Sequence, residues 1–365
     1  MIIIRKYKVF THLISAQQQG DYLMLLSKAL RRSLLWILAI IIVSSPIQFA
    51  AAGEVNIYSH RQKFLLEPFL QVFEKETGIK TNVLYASKGL AQRLAAEGEA
   101  SPADVVLTVD IARLSEYVSL DLFQIIESDT LEVSVPEHLR SQDNSWFGLS
   151  KRARIIVSST NRVGVNEIST YEDLADEKWR GRICSRKGSH VYNRALLASI
   201  IAHKGQVKAE QWASALVANL ARRPQGNDRA QAKAIHAGEC DVAIMNHYYY
   251  SKMLNNEEEP EQQEWARSLR LIAPNQEDRG AHINISGAGV AKYAPNRDNA
   301  IKLLEFLVSE EAQALYANEN YEYPVIDIEK LDVGGLGDFK VDALPISTLA
   351  ENAELAQIII NRTGW

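Results

Sequence analysis

From Gly53 onward, short apolar runs alternate with amphipathic stretches, and this alternation limits the fold more than any other feature of the 365-residue chain. Residues 54–58 read as a strand. Residues 63–76 carry Leu65, Leu66, Phe69, Leu70 and Phe73 at helical spacing. Thr77-Gly78 closes that helix, and 79–84 resumes a strand. A helix over 88–97, a buried strand over 105–108 and a helix over 111–120 complete the first unit. This βαβαβ order predicts an α/β fold of parallel strands with right-handed crossovers.

A second rhythm starts near Phe147, with strands at 154–158, 183 and 240–245 and helices at 171–175, 192–203, 209–221 and 229–237. After an acidic loop (Glu257, Glu258, Glu259, Glu261, Glu264) come strands at 269–272 and 285–291, then one long helix from 299 to 316. The 285–291 strand contains Gly287 and Gly289, which mark a hinge or close packing. No Gly/Ser-rich or Pro-rich linker separates the rhythms, so two lobes joined by ordered crossovers are expected. The boundaries fall at 53–150 with 280–325 for one lobe and 151–279 with 326–365 for the other. Open α/β sheets bind ligands beyond the carboxyl ends of their strands. The loops after Ile57, Leu107, Ile183 and Met245 are therefore the candidate site.

The first 52 residues differ in kind. Lys28, Arg31 and Arg32 precede an apolar run from residue 34 to 43, and Ala50-Ala51-Ala52-Gly53 follows Pro46. A basic segment, an apolar core and small residues describe a cleavable export signal. The run is shorter than the roughly 20 residues of a comfortable membrane span. Removing residues 1–52 changes the net charge from −5 to −10, with 34 basic and 44 acidic residues left. An acidic chain of this kind argues against nucleic-acid binding. Export also makes Cys184 and Cys240 legible, because an even count in an oxidising compartment suggests one disulfide, with metal ligation by the pair as the rival reading although no His or Cys stands at zinc-like spacing. Closing that loop would be worth roughly 4 kcal/mol in the loop-entropy picture.

Three loops carry chemistry. Tyr58-Ser-His-Arg-Gln62 sits between a strand and a helix, where backbone N–H groups favour an anion and Arg61 adds a charge-assisted contact. It also reads as a solvated helix start capped by Ser59. Asn246-His-Tyr-Tyr-Tyr250 follows a buried strand, and its three tyrosines cannot all face one core. Adjacent phenolates and an aromatic pocket lining are both open there. Tyr192 opens a helix after the Ile183 strand. A phenol titrates near pH 10, so only a strongly acidic cation displaces its proton at neutral pH, and Fe³⁺ fits. Three tyrosinates would balance its charge. His60, His190 and His247 lie near these loops without zinc-like spacing and read as supporting groups. Nucleophile-elbow, Walker and His-Glu-x-x-His patterns are absent, and Asp104 and Asp110 read as caps before a catalytic pair.

Tyr58-Ser-His-Arg-Gln62, Ser101-Pro-Ala-Asp104, Trp146-Phe-Gly-Leu149 with Arg152-Ala-Arg154, and Pro224-Gln-Gly-Asn-Asp-Arg229 occur in that order. Asn246-His-Tyr-Tyr-Tyr250, Asn284-Ile-Ser-Gly287 and Tyr323-Pro-Val325 follow. The series resembles the periplasmic ferric-ion-binding proteins of bacterial ABC transporters over nearly the whole mature chain. That resemblance implies a two-lobed periplasmic binding protein of type II, each lobe a mixed, mostly parallel sheet flanked by helices and joined by crossover hinge strands. It implies iron ligands at Tyr192, Tyr248 and Tyr249, with His60, Arg154 and Tyr250 behind them. Gln62 and Val109 stand where other branches place a His and a Glu, so the all-tyrosine branch is nearest. Carbonate or bicarbonate held by Arg61, Gln62 and Arg152 would complete the site. The implied partner is an inner-membrane permease, and the implied form is a periplasmic monomer without enzymatic activity. Another small solute, an oxyanion or an organic cation, is the rival cargo.

Overall fold

The computed structural model describes residues 53–326, 333 and 335–365. The leader expected over residues 1–52 lies outside the described residues. Among those described, no helix is long and apolar enough to cross a membrane.

Strand β1 (Glu54–Ser59) lies between two parallel neighbours, β2 (Lys80–Tyr85) and β3 (Val105–Thr108). Helices α1 (Lys63–Thr77) and α2 (Leu90–Glu97) make the crossovers. Helix α1 buries Leu66, Phe69, Leu70 and Phe73, the stripe its spacing predicts. Helix α3 (Ile111–Ser119) is capped by Asp110, whose carboxylate accepts from the Ala112 N–H. A short α4 (Asp129–Ser134) follows.

The spine of the molecule is β4 (Phe147–Ser159), far longer than the expected five residues. Its N-terminal half, up to Ala153, pairs with β8 (Ile283–Val290), and from Arg154 it pairs with β6 (Val242–Asn246). Lys151 and Arg152 interrupt the apolar pattern there, which hides the strand from periodicity. The order β2-β1-β3-β8-β4-β6-β5 is continuous, with β7 (Leu269–Ile272) and β9 (Tyr323–Pro324) also on β4. The mostly parallel arrangement needs correction. Among the described residues, three ladders are parallel and five antiparallel. The antiparallel ones all involve β4 or β8, which carry the chain between the two halves and return alongside each other.

The second half contains β5 (Ile183–Cys184), α5 (Val191–Lys204), α6 (Gln206–Ala218), α7 (Asp228–His236), α8 (Tyr248–Leu254) and α9 (Glu261–Arg267). Strand β6 is buried on both faces, as its unbroken apolar run requires. Val242 and Ile244 join one core cluster with Trp179, Leu196 and Trp212, while Ala243 and Met245 face the other. The expected helix over 299–316 is two helices, α10 (Arg297–Leu307) and α11 (Glu310–Asn318). Ser309 breaks it by accepting the Ala312 N–H as an N-cap.

Two closing helices escaped the sequence reading. Helix α12 (Ile346–Glu351) packs against both α3 and α5, and α13 (Ala353–Thr363) against α5 and α6. Trp365 then docks edge-on to Trp212 and donates to the Ser185 hydroxyl at 2.9 Å. Gly287 marks close packing, since a Cβ there would lie 2.6 Å from Leu114 Cδ1 and 2.9 Å from the Phe147 carbonyl. The Cys184–Cys240 disulfide forms as expected and ties β5 to the turn before β6. Replacing both cysteines by serine is expected to lower stability by about 2–4 kcal/mol, read as a lower denaturant midpoint with a steeper slope, since the freed unfolded chain exposes more surface.

Candidate metal centre

Four strand ends converge on a cleft of about 190 Å³. The β1–α1 loop brings His60, Arg61, Gln62, Phe64 and Leu65 to one wall, and Val109 comes from the end of β3. Tyr192, Tyr248 and Tyr249 line the facing wall. Tyr192 sits in the first turn of α5, and Tyr248 and Tyr249 open α8. Helical geometry there, in place of the expected loop, splays the three consecutive tyrosines. The Tyr248 and Tyr249 rings stay 4.4 Å apart, whereas Tyr250 does not line the cleft. The Tyr192 and Tyr248 hydroxyl oxygens approach to 3.2 Å.

The phenols lie in a field of guanidinium groups. Arg186, Arg152 and Arg154 stand 5.1, 5.6 and 5.7 Å from the centre of the Tyr192 ring. Burial and the neighbouring Tyr192 and Tyr249 phenols push the Tyr248 pKa well above the ordinary value, while Arg152 pulls it down. Burial likewise raises Tyr249, opposed by Arg186. The arginines thus favour the phenolate forms that burial opposes.

Two buried carboxylates organise these cations. Asp228, fully buried, receives Arg154 at 2.6 Å and Arg186 at 3.0 Å, and also accepts the Asn246 N–H at 2.9 Å. Burial alone would raise its pKa, but Arg154, Arg186 and the Asn246 N–H hold it below the usual carboxylate value. Glu322 pairs with Arg61 at 2.9 Å and is held low by Arg61 and Arg152 against the effect of burial. Arg61 also donates to the Ser286 hydroxyl at 2.8 Å. Arg152 donates to the same hydroxyl and to the Ile285 carbonyl and, among the described residues, has no carboxylate within ion-pair reach. Gln62 is exposed at the start of α1. Ser59 does not cap that helix. Its hydroxyl accepts from the Arg61 N–H at 3.0 Å in a local turn, and Gln62 is the residue at the cap position.

The histidines are held neutral. Arg113 donates to His60 Nδ1 at 2.6 Å, so Nε2–H is left to donate to the Tyr117 hydroxyl at 2.9 Å. Burial and Arg113 lower its pKa to about 4. His190 caps α5 through Nδ1 on the Tyr192 N–H, and burial with Arg186 lowers it to about 3. Buried His247 accepts the Ala153 N–H, stacks on Tyr323 and falls to about 4. Among the described residues, no group of three or more His, Cys, Asp or Glu side chains could hold a metal ion. Tyr192, Tyr248 and Tyr249 bring three phenols to this cleft.

Sequence reasoning passed over Arg186, Asp228, Arg229, Lys252 and Glu322. Arg186 lies two residues past β5, inside a loop the strand-end rule marks. Asp228 and Arg229 lie inside the 224–229 motif quoted for the resemblance. Only the fold reveals that they reach the tyrosines.

Residues 100–334 match the family of bacterial extracellular solute-binding proteins, and the chain belongs to that family. It is 45% identical over 315 residues to iron uptake protein A1 of Synechocystis sp., covering 86% of this chain and 87% of the relative. Among solved structures, the apo ferric ion-binding protein A of Pasteurella haemolytica superposes with a TM-score of 0.81 at 46% identity, over 86% of this chain and 98% of that one. A Trichodesmium protein solved in complex with iron and citrate gives 0.81 at 43% identity, over 86% and 100%. The fold is therefore the two-lobed type II arrangement of these periplasmic proteins.

Removing the Asp228 charge leaves two buried guanidiniums facing each other. Asp228→Asn is expected to cost about 3–5 kcal/mol, measured by chemical denaturation. Because the folded pKa of Asp228 lies below its unfolded value near 4, its contribution is complete above that pH and disappears as pH falls through the folded value. The wild-type advantage over the variant should therefore shrink below pH 4.

Proposed function

We propose that the mature chain binds Fe³⁺ in the periplasm through Tyr192, Tyr248 and Tyr249 and delivers it to an inner-membrane ABC permease as a monomer. The observation that carries this reading is the pair of phenol oxygens 3.2 Å apart, with Tyr249 beside them, in a cleft lined by arginines. Phenolate is a hard, anionic donor suited to a trivalent ion, and the guanidiniums offset the cost of ionising three neighbouring phenols. Relatives named for ferric-ion binding and iron uptake support the same cargo.

A carbonate or bicarbonate at Arg61, Gln62 and Arg152 would fill the coordination positions the tyrosines leave open. The Trichodesmium relative, solved in complex with iron and citrate, supports an anion bound together with the metal. In this reading residues 1–52 are the export signal. The lobes are 53–150 with 280–325 and 151–279 with 326–365, hinged on β4 and β8. The change of partner between Ala153 and Arg154 supports that hinge. All three tyrosines lie on one lobe, so iron binds the open form and the anion recruits the other wall.

Adding ferric salt with bicarbonate to the apo protein should produce a visible tyrosinate-to-iron band. Tyr248→Phe with Tyr249→Phe should abolish both band and binding, and full affinity in that double variant would refute the assignment. Since up to three phenol protons must leave, affinity should rise with pH by as much as about tenfold per proton per unit. A competition titration between pH 5.5 and 8 measures the slope, and a flat profile would refute tyrosinate ligation.

A further inference from the structure

Tyr192 is held differently from the other two cleft phenols. Tyr248 and Tyr249 follow closely on β6, whereas Tyr192 depends on the loop 185–190 that leads from β5 to α5. One end of that loop is fixed by the Cys184–Cys240 disulfide. Arg186 is held by Asp228, and Gln225 donates its N–H to the Ser185 carbonyl at 3.1 Å. The loop ends on His190, whose ring caps α5 at the Tyr192 N–H. Its remaining support comes from Trp365. Gly364, with φ 76° in the left-handed region, ends α13 and leads into that tryptophan, which is buried. The indole N–H donates to the Ser185 hydroxyl at 2.9 Å, and the Trp365 backbone oxygen accepts the Gly188 N–H at 3.0 Å. The approach is so close that a Cβ at Gly188 would lie 2.7 Å from Trp365 Cγ.

Ser185 turns this contact into more than packing. Its buried hydroxyl donates to the Arg186 carbonyl at 2.8 Å and accepts from both the Trp365 indole and the Asn193 amide, the latter at 3.3 Å. Asn193 also donates to the Arg186 carbonyl at 3.0 Å and accepts from Arg154 at 2.7 Å. One hydroxyl therefore joins Trp365 to the residue after Tyr192 and to the backbone of the arginine 5.1 Å from the Tyr192 ring. In a buried network of this kind the loss of one donor is felt by the bonds that share its acceptor.

We propose that Trp365 is a positioning residue for the metal centre, acting through Ser185 to hold the 185–190 loop in the arrangement that presents Tyr192. The proposal rests on the ferric reading of the cleft. Trp365 does not line the cleft and touches neither metal nor anion. Its indole N–H fixes the Ser185 hydroxyl, and that hydroxyl fixes Asn193 and the Arg186 backbone. Tyr192 and the guanidiniums beside it are then already in place when iron arrives, so binding does not have to order the loop.

The test titrates ferric salt with bicarbonate into wild-type protein, Trp365→Phe, Ser185→Ala, the double variant and Ile359→Ala, and reads affinity from the visible band by competition. Circular dichroism confirms that each variant is folded. Trp365→Phe keeps an aromatic ring against Trp212 but has no N–H, and it should lose about fivefold in iron affinity, the scale of one buried hydrogen bond. Ser185→Ala should lose a similar factor, and the double variant should fall no more than about twofold below either single one, because both act on the same contact. Ile359, buried on α13 in the same core cluster as Trp365, controls for packing. Ile359→Ala should lower the denaturation midpoint yet keep iron affinity within about twofold of wild type. Wild-type affinity in Trp365→Phe would overturn the proposal, as would fully additive losses in the double variant or an equal affinity loss in Ile359→Ala. A normal wild-type band with any of these results defeats this inference alone, whereas no band in the wild type defeats the ferric reading with it.

Discussion

Asp228 is the buried charge on which the cleft depends. It draws Arg154 from β4 and Arg186 from the loop after β5, and it accepts the N–H of Asn246 at the end of β6. Three separate chain segments are thus pinned at one carboxylate. A buried charge of this kind is tolerated only when its partners satisfy it, and here both arginines have a second task beside Tyr192. Asn193, next to Tyr192, accepts from the other terminal nitrogen of Arg154 at 2.7 Å. The orientation of a cleft tyrosine is therefore a by-product of ion pairing below it.

The same design sets burial against positive charge at the cleft phenols. Burial raises Tyr248 and Tyr249, and the neighbouring arginines work against that rise. The histidines around them are each held neutral by burial and nearby guanidiniums. Competing nitrogen donors are thereby already engaged: His60 with Arg113 and Tyr117, His190 with its helix start, His247 with the Ala153 N–H.

The β1–β3 unit, the disulfide and the three clustered tyrosines were legible because each leaves a local mark: a period, an even cysteine count, a run of one residue type. The length of β4 was not, since Lys151 and Arg152 disguise a strand that is buried by contacts from both halves. Nor were α12 and α13, whose burial comes from surfaces on α3, α5 and α6 that exist only after folding. The break at Ser309 was visible in principle, as Ser-Glu-Glu is a helix-start pattern, but a continuous apolar stripe on either side masked it. Arg186 and Arg229 carried no period at all. Their proximity to the tyrosines arises from the turn after β5 and the start of α7, which sequence distance conceals.

One consequence of the spine strand concerns measurement. Side chains two apart on a strand share a face, so Arg152 and Arg154 point the same way and both approach the Tyr192 ring. Yet Ala153 is the last residue paired with β8, and Arg154 is the first paired with β6. The two arginines therefore sit on either side of the point where β4 changes its ladder partner. Arg154 is tied to Asn193, next to Tyr192, whereas Arg152 is tied to β8 through Ser286 and Ile285. The Tyr192 ring is thus approached by one guanidinium anchored to β8 and by another anchored beside its own helix, and the ratio of the two distances would serve as a goniometer for the hinge motion proposed above.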